Sequence, residues 1–194
     1  MAVFTKLEKK EIENFLKDYS IGSLISYDGI IEGIENTNYK IRTTNNEYIL
    51  TIFEKRVNPA DLPFFMKLQK DLTTHEFDCP LPIENNSGSS INILKGKSAV
   101  IISFLDGKQL QSVLPHHCRE VGSMIARFTN ITKSSKLMRE NSMGINSWEN
   151  ILVKCKKNDT SLYDTYLETL EKELSFLKKN WPKELSITNA PGDL

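Results

Sequence analysis

The hydrophobic patterning of this chain predicts an α+β fold, an antiparallel sheet followed by a lobe of helices, and three observations carry that prediction. Tyr39 and Ile41 alternate with Lys40 and Arg42, an Asn45-Asn46 pair marks a reversal, and Tyr48 to Phe53 is a β-rich apolar run, which together read as a hairpin. Leu62, Phe65, Met66 and Leu72 fall on one side of a helix that separates this hairpin from two further strand-like runs. From Ser112 onward the period of the apolar residues is helical. The expected arrangement is a five-stranded antiparallel sheet between Leu24 and Phe104, with the helix near Asp61 to Leu72 packed on one face. The lobe boundary is expected at Asp106-Gly107-Lys108, dividing the chain into 1–106 and 107–194.

Each element has its own local signal. Thr5 followed by Glu8 is a capping-box pattern, and Ile12, Phe15, Leu16 and Tyr19 then share a face, so a first helix is expected over Lys6 to Asp18. Leu24 to Ile31 is strand-like, with Asp28-Gly29 reading as a bulge or a turn. Asp61 is the expected N-cap of the second helix, with Pro63 in its first turn, where a missing N–H costs nothing. That helix should end near Thr73, and Cys79-Pro80-Leu81-Pro82 enforces an extended segment, because a residue before proline avoids the α region. The turn Asn85-Asn86-Ser87-Gly88 precedes strands at Ser89 to Leu94 and Lys97 to Phe104, separated by Gly96. Cys118, Val121, Ile125 and Phe128 stripe the next helix. Ser147 caps a short one carrying Trp148, Ile151, Leu152 and Cys155, and a long one runs from Tyr163 through Leu170, Leu174 and Leu177 to Trp181, where Pro182 stops it.

Composition excludes several function classes. The 25 basic and 25 acidic residues cancel, which leaves no basic face for nucleic acid. No apolar run reaches membrane-spanning length and the N-terminus MAVFTKLEKK is no signal sequence, so a cytoplasmic protein is expected, without nucleic acid or membrane as partner. Cys79, Cys118 and Cys155 are odd in number and far apart, a pattern of buried thiols rather than of a disulfide framework or zinc site. His116-His117-Cys118 is not a metal site on this reading, since adjacent helical residues point in different directions. No Gly-x-Ser-x-Gly and no Walker loop is present. The turn Gly33-Ile34-Glu35-Asn36-Thr37-Asn38 has one Gly and two Asn, residues that tolerate positive φ and leave backbone N–H groups free for an anion. The same turn serves equally as a plain hairpin connection, since a single Gly falls short of a glycine-rich motif.

Taken in order, SLISYDGIIEGIENTNYKI, YILTIFEKRV, DLPFFMKLQKDL, CPLPI, FLDG, HCREVG and FLKKNWPKEL resemble the homoserine kinases of the aminoglycoside phosphotransferase and choline kinase type. The resemblance runs along essentially the whole chain. It implies a protein-kinase-like fold and ATP-dependent phosphorylation of the homoserine hydroxyl in threonine biosynthesis, with ATP and Mg²⁺ as cofactors. It places Gly33, Asn36, Thr37 and Asn38 over the ATP phosphates, Phe104 and Leu105 at the hinge beside adenine, and Asp193 as the base that accepts the substrate proton. Phe104 and Leu105 have a plain core reading as well, and Asp193 that of a tail carboxylate. Kinases of this fold offer a strand-three Lys to the phosphates, paired with a Glu on the next helix. Thr51 and Phe65 stand at those positions here, and Lys55 or Arg56 is a candidate for the missing charge. Pro191 stands where the catalytic-loop His is expected. The metal ligands are expected beyond Leu194, so no metal residue is assigned and the 194-residue chain is expected to be inactive alone. Two alternatives stay open, a non-catalytic nucleotide-binding or interaction module and a phosphotransferase for another small alcohol; the sequence assigns no oligomeric state.

Overall fold

The computed structural model describes residues 3–32, 35–54, 57–108, 110–158, 160–184 and 188–189, with the backbone alone at 158, 160 and 162–165. The described residues up to Met138, together with Asn189, form one compact unit, and those of 139–188 a second.

The first unit is built on an antiparallel sheet. Helix α1 (Lys9–Leu16) leads into strands β1 (Leu24–Ile30), β2 (Thr37–Thr43) and β3 (Glu47–Ile52), and helix α2 (Leu62–Thr74) separates them from β4 (Pro82–Ile83), β5 (Asn92–Leu94) and β6 (Lys97–Ser103). The strand order is β1-β2-β3-β6-β4, with β5 also paired to β6. The sheet thus has six strands rather than the expected five. Pro82 and Ile83 reach β6 because Leu81 N–H donates to Ser103 Oγ at 2.8 Å and Ser103 N–H donates back to Leu81 O at 2.9 Å, stitching the proline-extended segment to the free edge.

Local chemistry explains the departures from the expected elements. Glu8 rather than Thr5 precedes α1, its N–H donating to Glu11 Oε2 at 2.8 Å, because the Thr5 hydroxyl is drawn 49 residues along the chain to Glu54 Oε1 at 2.7 Å. Strand β1 runs straight through Asp28-Gly29, which pair with Lys40 and Tyr39, and its irregularity falls between Leu24 and Ser26. Gly29 makes room there: a Cβ would stand 3.0 Å from Val3 Cγ2 and 3.6 Å from the Tyr39 ring. Asp61 is the N-cap of α2, as expected, though its side chain makes no capping bond; a short 3₁₀ turn, Pro59–Asp61, precedes it and is capped by Asn58, which accepts from Ala60 N–H at 3.2 Å. The β5–β6 reversal uses Lys95 and Gly96 at φ of 53° and 74°, the left-handed pair that a two-residue hairpin loop requires.

The core lies on one face of the sheet. Ile12, Phe15 and Leu16 of α1 pack with Tyr39, Ile41, Tyr48, Leu50, Ile52, Ala99 and Ile101, and Ile12, Ile41, Leu50, Ile52 and Ile101 are wholly buried. The helix that covers this face is therefore α1. Helix α2 sits against β4 at the sheet's edge and against α3 (Pro115–Lys133), burying Leu62, Met66 and Leu72 while Phe65 stays exposed.

The second unit pairs α4 (Trp148–Asn158) with α5 (Thr160–Asn180). Trp148 meets Trp181 edge-on at 5.5 Å, and Lys178 bonds Glu149. The expectation of buried thiols does not hold: Cys79 is half-buried and Cys118 and Cys155 are exposed.

Candidate functional site

Strand register sorts every side chain of the sheet to one of two faces. Opposite the core, Ile30, Asn38, Thr51 and Val100 form one row across β1, β2, β3 and β6. Asp28, Lys40, Ile49 and Ile102 form the next, and Ser26, Arg42 and Glu47 the third. This face mixes amides, hydroxyls and charges with Ile30, Ile49, Val100 and Ile102, where the other is mainly apolar. It is bounded at one end by the turn entering β2 and at the other by Phe104, whose N–H donates to Glu47 O at 3.4 Å.

The predicted residues distribute over this frame as follows. Gly33 and Asp193 lie outside the described residues, as do Lys55 and Arg56. Asn36 is half-buried at the turn and accepts from Glu54 N–H at 3.4 Å through Oδ1. Thr37 is wholly buried, its hydroxyl accepting from Phe4 and Thr5 N–H at 3.0 Å each and donating to Glu54 Oε1 at 2.8 Å. That side chain is committed internally and offers a ligand no hydroxyl. Asn38 and Thr51 are brought together, Thr51 donating to Asn38 Oδ1 at 2.8 Å in a neutral hydrogen bond between β2 and β3. Phe104 is half-buried at the far end and Leu105 is exposed.

Two polar groups escaped the sequence reading. On the polar face the Lys40 ammonium stands 3.8 Å from the centre of the Phe104 ring and 2.8 Å from Glu47 Oε2. Each bond alone is of a kind worth about 1 kcal/mol or less at a surface. On the core side of the turn, Glu54 accepts from Thr5, Thr37 and Lys97, and Lys97 also donates to Thr5 Oγ1 at 2.8 Å. Burial alone would raise the Glu54 pKa, but the hydrogen bonds from Lys97, Thr5 and Thr37 outweigh it and hold the carboxyl below the usual range. Lys97 shares the parity of Ala99 and Ile101, so it belongs to the core face and cannot serve the polar one. Alternation alone could have flagged Lys40 as a cation on the face away from α1. Nothing local in the sequence links Glu54 to Lys97.

Among the described residues no group of three His, Cys, Asp or Glu side chains converges on a metal position. His117 serves its own helix, Nδ1 accepting from Leu114 N–H at 3.0 Å. Among the described residues, too, no helix is long and apolar enough to cross a membrane.

The profile of the Phosphotransferase enzyme family matches residues 27–191. A homoserine kinase of Bartonella tribocorum is 40% identical over 194 residues, the whole of this chain and 61% of that protein. One of Agrobacterium fabrum is 37% identical over the whole of this chain and 60% of its own length. The chain therefore spans about 60% of the length of these curated relatives. A spectinomycin phosphotransferase solved with ADP and spectinomycin superimposes with a TM-score of 0.60 at 11% identity, over 93% of this chain and 60% of that one. A microcompartment-associated aminopropanol kinase does so with a TM-score of 0.57 at 12% identity, over 72% and 48%. The fold is thus the kinase-like one of the aminoglycoside phosphotransferases.

Proposed function

The chain belongs to the phosphotransferase enzyme family, and from that premise we propose that it is the nucleotide-binding part of an ATP-dependent kinase acting on the hydroxyl of homoserine. The observation that carries the acceptor is identity of 37–40% to homoserine kinases along the entire chain. The polar sheet face supports the nucleotide. Residues 1–106 form its lobe and 107–194 begin the lobe that receives the acceptor, in threonine biosynthesis and in the cytoplasm.

In this reading ATP lies along the polar face. Its base sits near Phe104 and Leu105, flanked by Ile49, and its phosphates near the turn at Gly33, Asn36, Thr37 and Asn38, where backbone N–H groups approach an anion. Since the Thr37 hydroxyl is used internally, its contribution is its place at the turn rather than a side-chain contact. Asp193 accepts the proton of the homoserine hydroxyl as the oxygen bonds to the terminal phosphorus of ATP and the bond from that phosphorus to the bridging oxygen breaks, releasing ADP. Mg²⁺, when bound, neutralises charge on the transferring phosphoryl group, and no residue described here is assigned to it.

Chemical-shift mapping of the 194-residue chain with a non-hydrolysable ATP analogue tests the site. Shifts are expected at Asn36, Asn38, Ile49, Thr51 and Phe104, and Gly33→Val is expected to abolish those at the turn. Shifts confined to the α1 face would sink the assignment. A coupled ADP-release assay with homoserine, ATP and Mg²⁺ tests the chemistry: the 194 residues alone are expected to bind without turnover. Turnover that disappears in Asp193→Ala would show that the metal-binding groups are supplied within this chain.

A further inference from the structure

Phosphate binding on the polar face lacks its usual cation. Thr51 occupies the position of the strand-three lysine and spends its hydroxyl on Asn38, while Lys97 faces the core. Among the described strand residues of the polar face, register leaves two cations, Lys40 and Arg42. Arg42 lies in the row of Ser26 and Glu47, furthest from the turn. Lys40 lies one row from Asn38 and Thr51. Two residues along a strand are about 6.7 Å apart, a distance that a lysine stem of four methylenes spans. In this structure that stem points the other way, toward Glu47 and Phe104, at the end of the face assigned to the base.

We propose that Lys40 is the cation that pairs with the nucleotide's phosphates in place of the absent strand-three lysine, and that in the nucleotide-free chain it is held in reserve on Phe104 and Glu47. The proposal rests on the nucleotide reading of the polar face. Both holding contacts are weak. The Lys40 and Glu47 side chains are 37% and 35% exposed, so water screens the ion pair, and the ring holds an exposed ammonium only weakly. Polyphosphate is a stronger partner than either. A base arriving at Phe104 also claims the surface on which the ammonium rests. Arrival of a nucleotide therefore releases Lys40 at one end of the face and offers it a partner at the other. A nucleoside does only the first, so the device selects for phosphorylated ligands.

The test compares ATP, ADP and adenosine by calorimetric titration of the 194-residue chain and of Lys40→Met and Lys40→Arg, with circular dichroism checking that each is folded. Lys40→Met is expected to weaken ATP and ADP at least about tenfold, the scale of one charge-assisted hydrogen bond, with adenosine changed less than about twofold. Lys40→Arg is expected to recover most of the loss, and Thr51→Lys in the Lys40→Met background to recover part of it by restoring a cation at strand three. Equal effects on all three ligands, no effect on any, or tighter binding of all by Lys40→Met would overturn the role of Lys40 and leave the nucleotide site standing. Absence of binding by the unaltered chain would overturn the site and the lysine's role together.

Discussion

Lys40 and Ile41 are neighbours in β2 and live in different environments. Ile41 is wholly buried against α1 and the facing strands, whereas Lys40 lies on the other side of the same ribbon among Asp28, Ile49 and Glu47. A strand reverses its side chains at every step, so a single β-ribbon divides labour residue by residue. The α1 face holds the fold together mainly with apolar groups, its polar ones, Thr37, Glu54 and Lys97, being paired with one another at the rim. That frees the opposite face to carry amides, hydroxyls and charges at little expense in stability.

Substitutions on the two sides should differ accordingly, and the largest loss belongs to the closed side. Ile41→Ala is expected to cost about 2–5 kcal/mol in urea unfolding, through lost burial and the cavity left behind. A cost below about 1 kcal/mol would mean the two faces are not distinct. Thr37→Val, at the rim where the faces meet, is expected to cost about 1–3 kcal/mol, because the Phe4 and Thr5 amides lose their acceptor and Glu54 a donor. Valine matches threonine in shape, so a loss that size is assignable to hydrogen bonding.

Tyr19 sharpens the contrast through pH. Burial, partly countered by the 2.7 Å hydrogen bond from Asn92, raises its phenol from 10 to about 12. The unfolded chain then releases its proton first, so stability is fully present below pH 10 and falls as pH rises toward about 12. In Tyr19→Phe that part of the alkaline decline should vanish from a plot of urea midpoint against pH. An unchanged slope would show that the α1 side is open to water. The smallest effect belongs to the polar face: Lys40→Met should change stability by less than about 1 kcal/mol, since it breaks one exposed ion pair and replaces the ammonium on the Phe104 ring by an apolar stem. A larger loss would make Lys40 a structural residue.

What the sequence disclosed follows the range of the forces involved. The hairpin through Asn45-Asn46, the helices and the stop at Trp181-Pro182 are set by neighbours in the chain, and each stands within a few residues of where its pattern placed it. The strand at Pro82 and the diversion of Thr5 to Glu54 depend on partners twenty and 49 residues away, which periodicity does not report. α2 has as good a stripe as α1, and only the packed sheet decides which helix covers it. Family motifs single out Asn38, Thr51 and Phe104 as candidates, and the register sets the first two side by side. Thr37 looked like an anion-loop residue, and its hydroxyl is consumed by contacts that only folding creates. Lys40 passed as the polar member of an alternation, which it is, until the register put it beside Phe104.

The arm ahead of α1 has a bearing on how such a chain is handled. Thr37 and Tyr39 grip it, the first through the Phe4 and Thr5 amides and the second by accepting from Leu7 N–H and donating to Thr5 O, each at 3.0 Å. Thr5 in turn holds Glu54, whose own amide reaches Asn36. The entrance to β2 is thus tethered to residues thirty positions upstream. Trimming Val3 to Thr5, or fusing an affinity tag there, would untie the turn proposed to meet the phosphates. Preparations alike in far-ultraviolet dichroism could then differ in nucleotide affinity by virtue of their leading residues alone.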